Sequence, residues 1–133
     1  MKGYLLDTDI CVFYLRDKYD IKQRLEETDR KKVFISDITV AELRYGAYKS
    51  DFPEENLKLV DKLLTKINVV PFADGIDEFA KEKTLLCKAG KMVQDFDLLI
   101  AAAAKARALT LVTNNTKHFE RISDLKIENW VRS

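Results

Sequence analysis

The sequence predicts an α/β fold of three layers, in which helices cover both faces of a central, mostly parallel sheet of about four to five strands. Short apolar runs alternate along the chain with longer segments of helical periodicity. The apolar runs contain few polar residues, as is typical of strands buried on both faces of a parallel sheet. The chain has 133 residues, 47% apolar and 34% charged. This size and balance suit one globular domain spanning residues 1–133.

The first two strands are each followed directly by a helix. Residues 4–6 form an apolar run that stops at Asp7, and helical patterning resumes from about Cys11. A second helix is expected from about residue 19 to 27, followed by a polar turn at 29–32. Residues 33–35 form the second strand. Ser36 is a suitable N-cap for the helix that follows, because its hydroxyl can accept from a free backbone N–H.

The middle of the chain repeats the same alternation. Pro53 marks the start of another helix, since proline is favoured in the first turn. Residues 69–72 are predicted to form a short strand, and a helix follows from about 74 to 89. The side chains expected on the buried face of this helix are Ile76, Phe79, Ala80 and Cys87.

The last third contains the most apolar segment. Residues 94–97 open a run, 98–104, that is apolar on every side, which is typical of a fully buried helix. Residues 109–113 are predicted to form a strand, and residues 114–119 a loop or the start of a helix. A final short strand is expected between Leu125 and Trp130.

Composition excludes several classes of protein. The chain has 23 basic and 22 acidic residues, a formal net charge of +1, so net charge alone does not indicate a nucleic-acid binder. We see neither a bilayer-spanning run nor a signal peptide and expect a cytoplasmic protein. Cys11 and Cys87 are expected to be reduced core residues. The four glycines form no phosphate-binding loop, and His118 has no recognisable serine or cysteine partner.

Acidic residues follow the predicted strands or open the predicted helices. They are Asp7 with Asp9, Glu42, and Asp97 with Asp95, and the polar loop from Asn114 to His118 follows another strand. The carboxyl ends of parallel strands meet at one edge of the sheet, so we expect these groups to converge there. Gathered carboxylates repel one another unless a cation is present. Magnesium suits such oxygen ligands best and can activate a water for phosphodiester hydrolysis.

Each acid also has a purely structural interpretation. Asp7 could cap the helix after the first strand, and Glu42 could close a capping box with Thr39. Asp95 could be an N-cap, and Asp97 a favourable charge in a first helical turn. These interpretations treat the acids one at a time and do not explain their common position at one edge of the sheet.

Five segments in order resemble the VapC-type toxins of the PIN-domain ribonuclease family. They are residues 5–10, 35–46, 97–102, 111–115, and 119–122 taken with 128–130. The resemblance covers nearly the whole chain and implies a PIN-like fold. It also implies a magnesium-dependent endoribonuclease, with manganese as a substitute metal and transfer RNA as a reasonable substrate. The implied partners are a VapB-type antitoxin, whose tail covers the acidic site, and a second copy of the chain. Toxin and antitoxin would form a larger complex.

By position, the resemblance makes Asp7, Glu42 and Asp97 the metal-binding and catalytic carboxylates. Thr8 matches a small hydroxyl residue near that site. Three supporting positions depart from the pattern that is common in the family. Asp9 stands where asparagine is common, and Asn114 stands where the wider family often has an acidic residue. His118 stands where some relatives carry glutamate. Asp95 is expected to act as a cap or to support Asp97 from outside the metal site.

Two other functions remain open on the sequence alone. The acidic site could belong to a PIN-like nuclease of RNA processing or DNA repair. The chain could instead be an interaction module whose catalytic site has degenerated, although the presence of Asp7, Glu42 and Asp97 argues against this.

Overall fold

The computed structural model describes residues 3–131, so the outermost two residues at each end of the predicted domain lie outside the described part. Five strands form one sheet in the order β3-β2-β1-β4-β5, and every neighbouring pair is parallel. The strands are β1 (Tyr4–Leu6), β2 (Val33–Ser36), β3 (Asn68–Val70), β4 (Thr110–Val112) and β5 (Ile127–Glu128). The predicted α/β class, strand number and parallel pairing are therefore confirmed.

Between residues 3 and 131, seven α-helices connect or follow the strands. They are α1 (Thr8–Leu15), α2 (Ile21–Glu27), α3 (Asp37–Lys49), α4 (Pro53–Leu64), α5 (Ile76–Lys88), α6 (Asp95–Ala106) and α7 (Thr116–Phe119), with short 3-10 helices at Arg30–Lys32 and Phe72–Gly75. Ser36 caps α3 by accepting from the Ile38 N–H, as predicted. Pro53 stands in the first turn of α4, also as predicted. Within residues 3–131, no helix combines the length and apolar character needed to cross a membrane.

The sheet separates two hydrophobic cores, which makes the fold three-layered. Because side chains alternate along a strand, Leu6 faces a core formed largely by α1 to α4, whereas Leu5 faces a second core formed by α5, α6 and Phe119. In α6, the alanines at 101–104 are all essentially inaccessible to solvent. Small side chains therefore let this helix pack against neighbours on every side, and the predicted buried helix is confirmed.

Two predicted helix boundaries are wrong by about two residues. The second helix begins at Ile21 rather than Tyr19, because Tyr19 and Asp20 both adopt left-handed backbone conformations with φ of 57°. The helix expected from residue 74 begins at Ile76, since the preceding residues form a 3-10 turn after Pro71. The same turn ends β3 at Val70, so Phe72 lies outside the strand.

The predicted buried face of α5 is confirmed at Phe79, which is half-buried against the second core, and is wrong at the other three residues. Ile76, Ala80 and Cys87 are exposed, whereas Glu82 and Leu86 are buried. Glu82 is tolerated inside because Lys105 forms an ion pair with it and Ser123 donates to its Oε1 atom at 3.0 Å. Charge compensation thus places a glutamate on the face that hydrophobicity alone assigned to other residues. Of the two cysteines, only Cys11 lies in the core.

Candidate functional site

The acidic site lies where the strand order reverses, between β1 and β4. Asp7 directly follows β1, and its backbone N–H donates to the Val112 carbonyl at 2.8 Å. After β1 the chain continues into α1, and after β4 it continues into residues 113–115. In parallel α/β sheets, this crevice beyond the carboxyl ends of the strands is the usual ligand site. The position predicted for Asp7 is therefore the one the chain adopts.

Asp7 is buried and held by two hydrogen bonds. Its Oδ1 accepts from the Thr8 N–H at 2.8 Å, which caps α1, and its Oδ2 accepts from the Thr113 hydroxyl at 2.9 Å. Burial raises the pKa of Asp7 to about 7, with a smaller upward contribution from the negative charge of Asp9, while the two hydrogen bonds act in the opposite direction. Asp7 therefore does cap α1, but a capping role alone does not explain why its carboxyl group is buried and has a raised pKa.

Asp9 lies beside Asp7 and is fixed by backbone donors. Its Oδ1 accepts from the Ile10 N–H at 2.7 Å, and its Oδ2 accepts from the Asn114 N–H at 2.9 Å. Burial raises the pKa of Asp9 as well, and the nearby charge of Asp97 adds to this increase. Asn114 contributes to the site through its backbone, since its side-chain oxygen accepts from Asn129.

Glu42 is linked to this region through a chain of hydroxyl groups. The Thr8 hydroxyl donates to Glu42 Oε1 at 2.7 Å, and the Thr8 and Thr39 hydroxyls are 3.0 Å apart. Because the one hydroxyl proton of Thr8 goes to Glu42, Thr39 must be the donor in the second contact. Glu42 does not close a capping box with Thr39, because the N-cap of α3 is Ser36 and Thr39 lies inside the helix. The interaction instead joins α3 to the start of α1, next to Asp7.

The two acids at the start of α6 have different surroundings. Asp97 Oδ2 lies 3.2 Å from Nε2 of His118, and the Asp97 charge is close enough to raise the pKa values of Asp7 and Asp9. Asp95 is largely exposed and pairs with Lys83 at 2.9 Å. The N-cap of α6 is Gln94 rather than Asp95. The structure therefore brings Asp97 into the acidic site and turns Asp95 towards α5.

Thr113 is the site residue that the sequence analysis missed. It is fully buried. Its hydroxyl donates to Asp7 and accepts from the Asn115 N–H at 3.0 Å, and Asp9 Oδ2 is 3.4 Å away. In the sequence, Thr113 could have been recognised from its position directly after β4, because β4 pairs with β1 and Asp7 directly follows β1. Thr113 thus fixes the orientation of Asp7 and links β4 to both aspartates.

Replacing Thr113 with valine should lower the free energy of unfolding by about 1–3 kcal/mol, because Asp7 and the Asn115 N–H both lose a partner in a buried place. The loss should be larger at pH 8 than at pH 5, since the hydroxyl stabilises the ionised form of Asp7. Urea denaturation at the two pH values measures both effects. Thr110→Val, at the opposite end of β4, is the matched control. Equal losses in the two variants would contradict the assigned role of Thr113.

The donor set fits a hard divalent cation. Within residues 3–131, no lysine or arginine forms an ion pair with Asp7, Asp9 or Glu42, so their negative charge lacks a nearby counterion. No group of three or more histidine, cysteine and acidic side chains in this part of the chain is drawn together tightly enough to cage an ion. Magnesium does not require such a cage, because it binds through one or two carboxylates and retains several waters.

Comparison with known proteins agrees with this arrangement. The family model described as PIN domain matches residues 4–125. The chain belongs to the PIN-domain family. Among curated PIN-domain relatives, the chain is 36% identical to "tRNA(fMet)-specific endonuclease VapC" of Shigella flexneri, over 98% of this chain and 99% of the relative. It is 37% identical to "Ribonuclease VapC2" of Haemophilus influenzae, over 98% of this chain and all of that protein. These matches confirm the VapC-type resemblance.

Solved structures of PIN-domain proteins give the same result. DNA-bound VapBC from Salmonella typhimurium matches with a TM-score of 0.91 and 34% identity, covering 98% of this chain and 99% of that chain. VapBC2 from Rickettsia felis, bound to a DNA fragment from its promoter, matches with a TM-score of 0.88 and 37% identity. That match covers 98% of this chain and 99% of the other. The predicted PIN-like fold is therefore confirmed over nearly the whole chain.

Proposed function

We propose that this chain is the endoribonuclease toxin of a VapBC-type toxin–antitoxin pair and that it uses Mg²⁺ to hydrolyse RNA phosphodiester bonds. The observation that carries the proposal is the meeting of Asp7, Asp9 and Asp97 in one crevice, where burial and mutual repulsion raise the pKa values of the first two. Such a site is unfavourable without a cation. Membership of the VapC-type PIN-domain proteins supports RNA as the substrate.

Asp7, Glu42 and Asp97 are proposed as the residues that hold the metal. When bound, the ion would supply an acidified water and neutralise charge on the scissile phosphate. The chain's own contribution is orientation. Thr113 fixes Asp7, and Thr8 fixes Glu42, so two carboxylates from different elements are held before substrate arrives. Such preorganisation avoids the cost of ordering the side chains during the reaction.

Transfer RNA is the substrate class we infer, because the Shigella flexneri relative is named as a tRNA(fMet)-specific endonuclease. We infer a VapB-type antitoxin as partner because the similar solved structures are VapBC complexes. A homodimer and a larger complex with the antitoxin belong to the same proposal, as do a cytoplasmic location and Mn²⁺ as an alternative metal. Asp9, Asn114 and His118 are proposed to support the three metal-binding acids.

Helix α6 provides a matched pair of variants to test the proposal. Asp97→Asn should reduce cleavage of a transfer-RNA pool by on the order of a thousandfold, since it removes a charge that acts directly on the metal and the transition state. Asp95→Asn makes the same chemical change two residues earlier, at an exposed position paired with Lys83, and should change the rate less than about threefold.

The assay uses antitoxin-free protein with Mg²⁺, and repeats it with a chelator. Cleavage should require the metal in both the wild type and Asp95→Asn. Equal rates for Asp97→Asn and Asp95→Asn would refute the proposed site. A folded wild-type protein that leaves every RNA in a total cellular pool intact would refute the nuclease and favour a degenerate interaction module.

A further inference from the structure

The Nε2 atom of His118 is a buried polar atom without a hydrogen-bond partner in the described part of the chain. Asp97 Oδ2 lies only 3.2 Å away, a distance that a hydrogen bond could span. Since no hydrogen bond forms, the carboxylate oxygen must lie beside the ring's donor direction rather than along it. Leaving a buried nitrogen unsatisfied costs free energy, so this contact calls for a physical explanation.

The imidazole is held in this place by the fold. His118 lies in α7, and its backbone N–H donates to the Asn115 carbonyl at 3.2 Å. Its ring packs edge-on against Phe119, with centroids 5.2 Å apart, and Phe119 is part of the second hydrophobic core. Only 20% of the His118 side chain is exposed. The nitrogen is therefore directed to Asp97 by core packing and not by chance contact of a solvated side chain.

A shared cation would satisfy both atoms. Ligand atoms on neighbouring octahedral positions, each about 2.1 Å from an ion, are roughly 3 Å apart. The observed separation of Nε2 and Oδ2 is close to that value. A carboxylate oxygen and an imidazole nitrogen together form a mixed donor pair, and imidazole favours transition-metal ions over Mg²⁺.

We propose that His118 is a nitrogen ligand of the metal at this site and that, with Asp97, it makes the site bind nitrogen-favouring transition-metal ions such as Co²⁺ more tightly than Mg²⁺. The inference deepens the proposed function, because it requires a metal at the acidic crevice. His118 would then help to select the metal. An acidic residue at position 118 would instead leave the site with oxygen ligands alone.

Metal binding without RNA tests the inference directly. Isothermal titration calorimetry of the antitoxin-free, full-length chain with Co²⁺ or Mg²⁺ gives both affinities, and the visible absorption of Co²⁺ reports a change of ligand. His118→Gln should weaken Co²⁺ binding at least about tenfold and alter its visible spectrum. Mg²⁺ affinity should change less than about twofold. His118→Ala should give the same pattern, and thermal unfolding checks that both variants are folded.

Lys117→Gln is the matched control, since it replaces the exposed neighbour on the same helix and should leave Co²⁺ affinity and spectrum unchanged. Equal weakening of both ions by His118→Gln would overturn the ligand assignment and indicate that His118 only positions Asp97. Unchanged Co²⁺ binding would overturn it as well. Failure of the proposed function is distinguishable, because Asp97→Asn would then leave both metals bound as in the wild type.

Discussion

Asp7→Asn is expected to abolish RNA cleavage and, in the absence of metal, to make the protein more stable at pH 8. The pKa of Asp7 is raised from 3.8 to about 7 in the folded protein, so the ionised carboxylate is disfavoured by folding. The resulting loss of stability is absent below about pH 4, grows as the pH rises, and is complete above about pH 7. It amounts to at most about 4 kcal/mol.

Asparagine should remove this dependence on pH because it carries no charge and remains a good N-cap for α1. The measurement is urea denaturation of the wild type and Asp7→Asn at pH 5 and pH 8, with a chelator present. The variant should gain on the wild type at both pH values, and the gain should be clearly larger at pH 8 than at pH 5, where most of the Asp7 side chains in the folded protein are still protonated. Saturating Mg²⁺ should stabilise the wild type more than the variant, because ligand binding favours the folded state.

Cleavage by Asp7→Asn should fall by on the order of a thousandfold under the same conditions. Asp95→Asn serves again as the control, since its carboxylate is exposed and its replacement should alter neither the pH dependence nor the rate. A variant that loses stability and activity together at both pH values would show that Asp7 acts through folding, and it would contradict the catalytic role.

Gly75→Ala is expected to be strongly destabilising because α6 leaves no room for a side chain there. An added Cβ would lie 2.7 Å from the Ala103 nitrogen and 2.8 Å from the Ala102 carbonyl carbon. Both are backbone atoms of a buried helix and cannot move alone. Overpacking of this kind costs about 1–3 kcal/mol. Asp97 lies in the first turn of α6, so a shift of the helix would displace its carboxylate. Cleavage should therefore also be slower, by up to about a hundredfold.

Gly46→Ala provides a control of opposite sign. Gly46 lies inside α3, and apart from its chain neighbours and the backbone of its own helix, a Cβ there would meet nothing within 4 Å. Alanine should therefore stabilise the helix by about 0.5–1 kcal/mol. Urea denaturation of the two variants tests both expectations. Similar effects in the two variants would indicate that the packing of Gly75 against α6 is looser than described.

Much of the site follows from sequence because it depends on local chemistry at the strand ends. Asp7 follows an apolar strand, and Glu42 lies early in the helix after the next one. Parallel pairing then carries both to the same edge of the sheet. The side of the sheet on which Asp97 lies depends instead on how α6 packs, which periodicity does not specify for a helix that is apolar on every side.

Other features depend on pairings between distant residues. Thr113 gains its role only when β4 pairs beside β1, and nothing local distinguishes it from any other threonine at the end of a strand. The burial of Glu82 depends on Lys105 and Ser123 from later elements. Hydrophobic periodicity therefore missed Glu82 and wrongly placed Ile76 and Cys87 on the buried face of α5. Such errors are expected wherever a long-range ion pair overrides the local pattern.

The central position of β1 has a consequence for synthesis of the chain. The bond from Thr113 to Asp7 joins residues separated by 106 positions, and β1 cannot gain its second neighbour until β4 exists. Pairing between strands so far apart in sequence is slow, because a long loop must be closed first. A nascent chain that ends before β4 carries Asp7 and Glu42 without the residues that orient and complete the crevice. The acidic site is therefore assembled only after β4 has been synthesised, so a shorter nascent chain lacks the arrangement that the proposed cleavage of RNA requires.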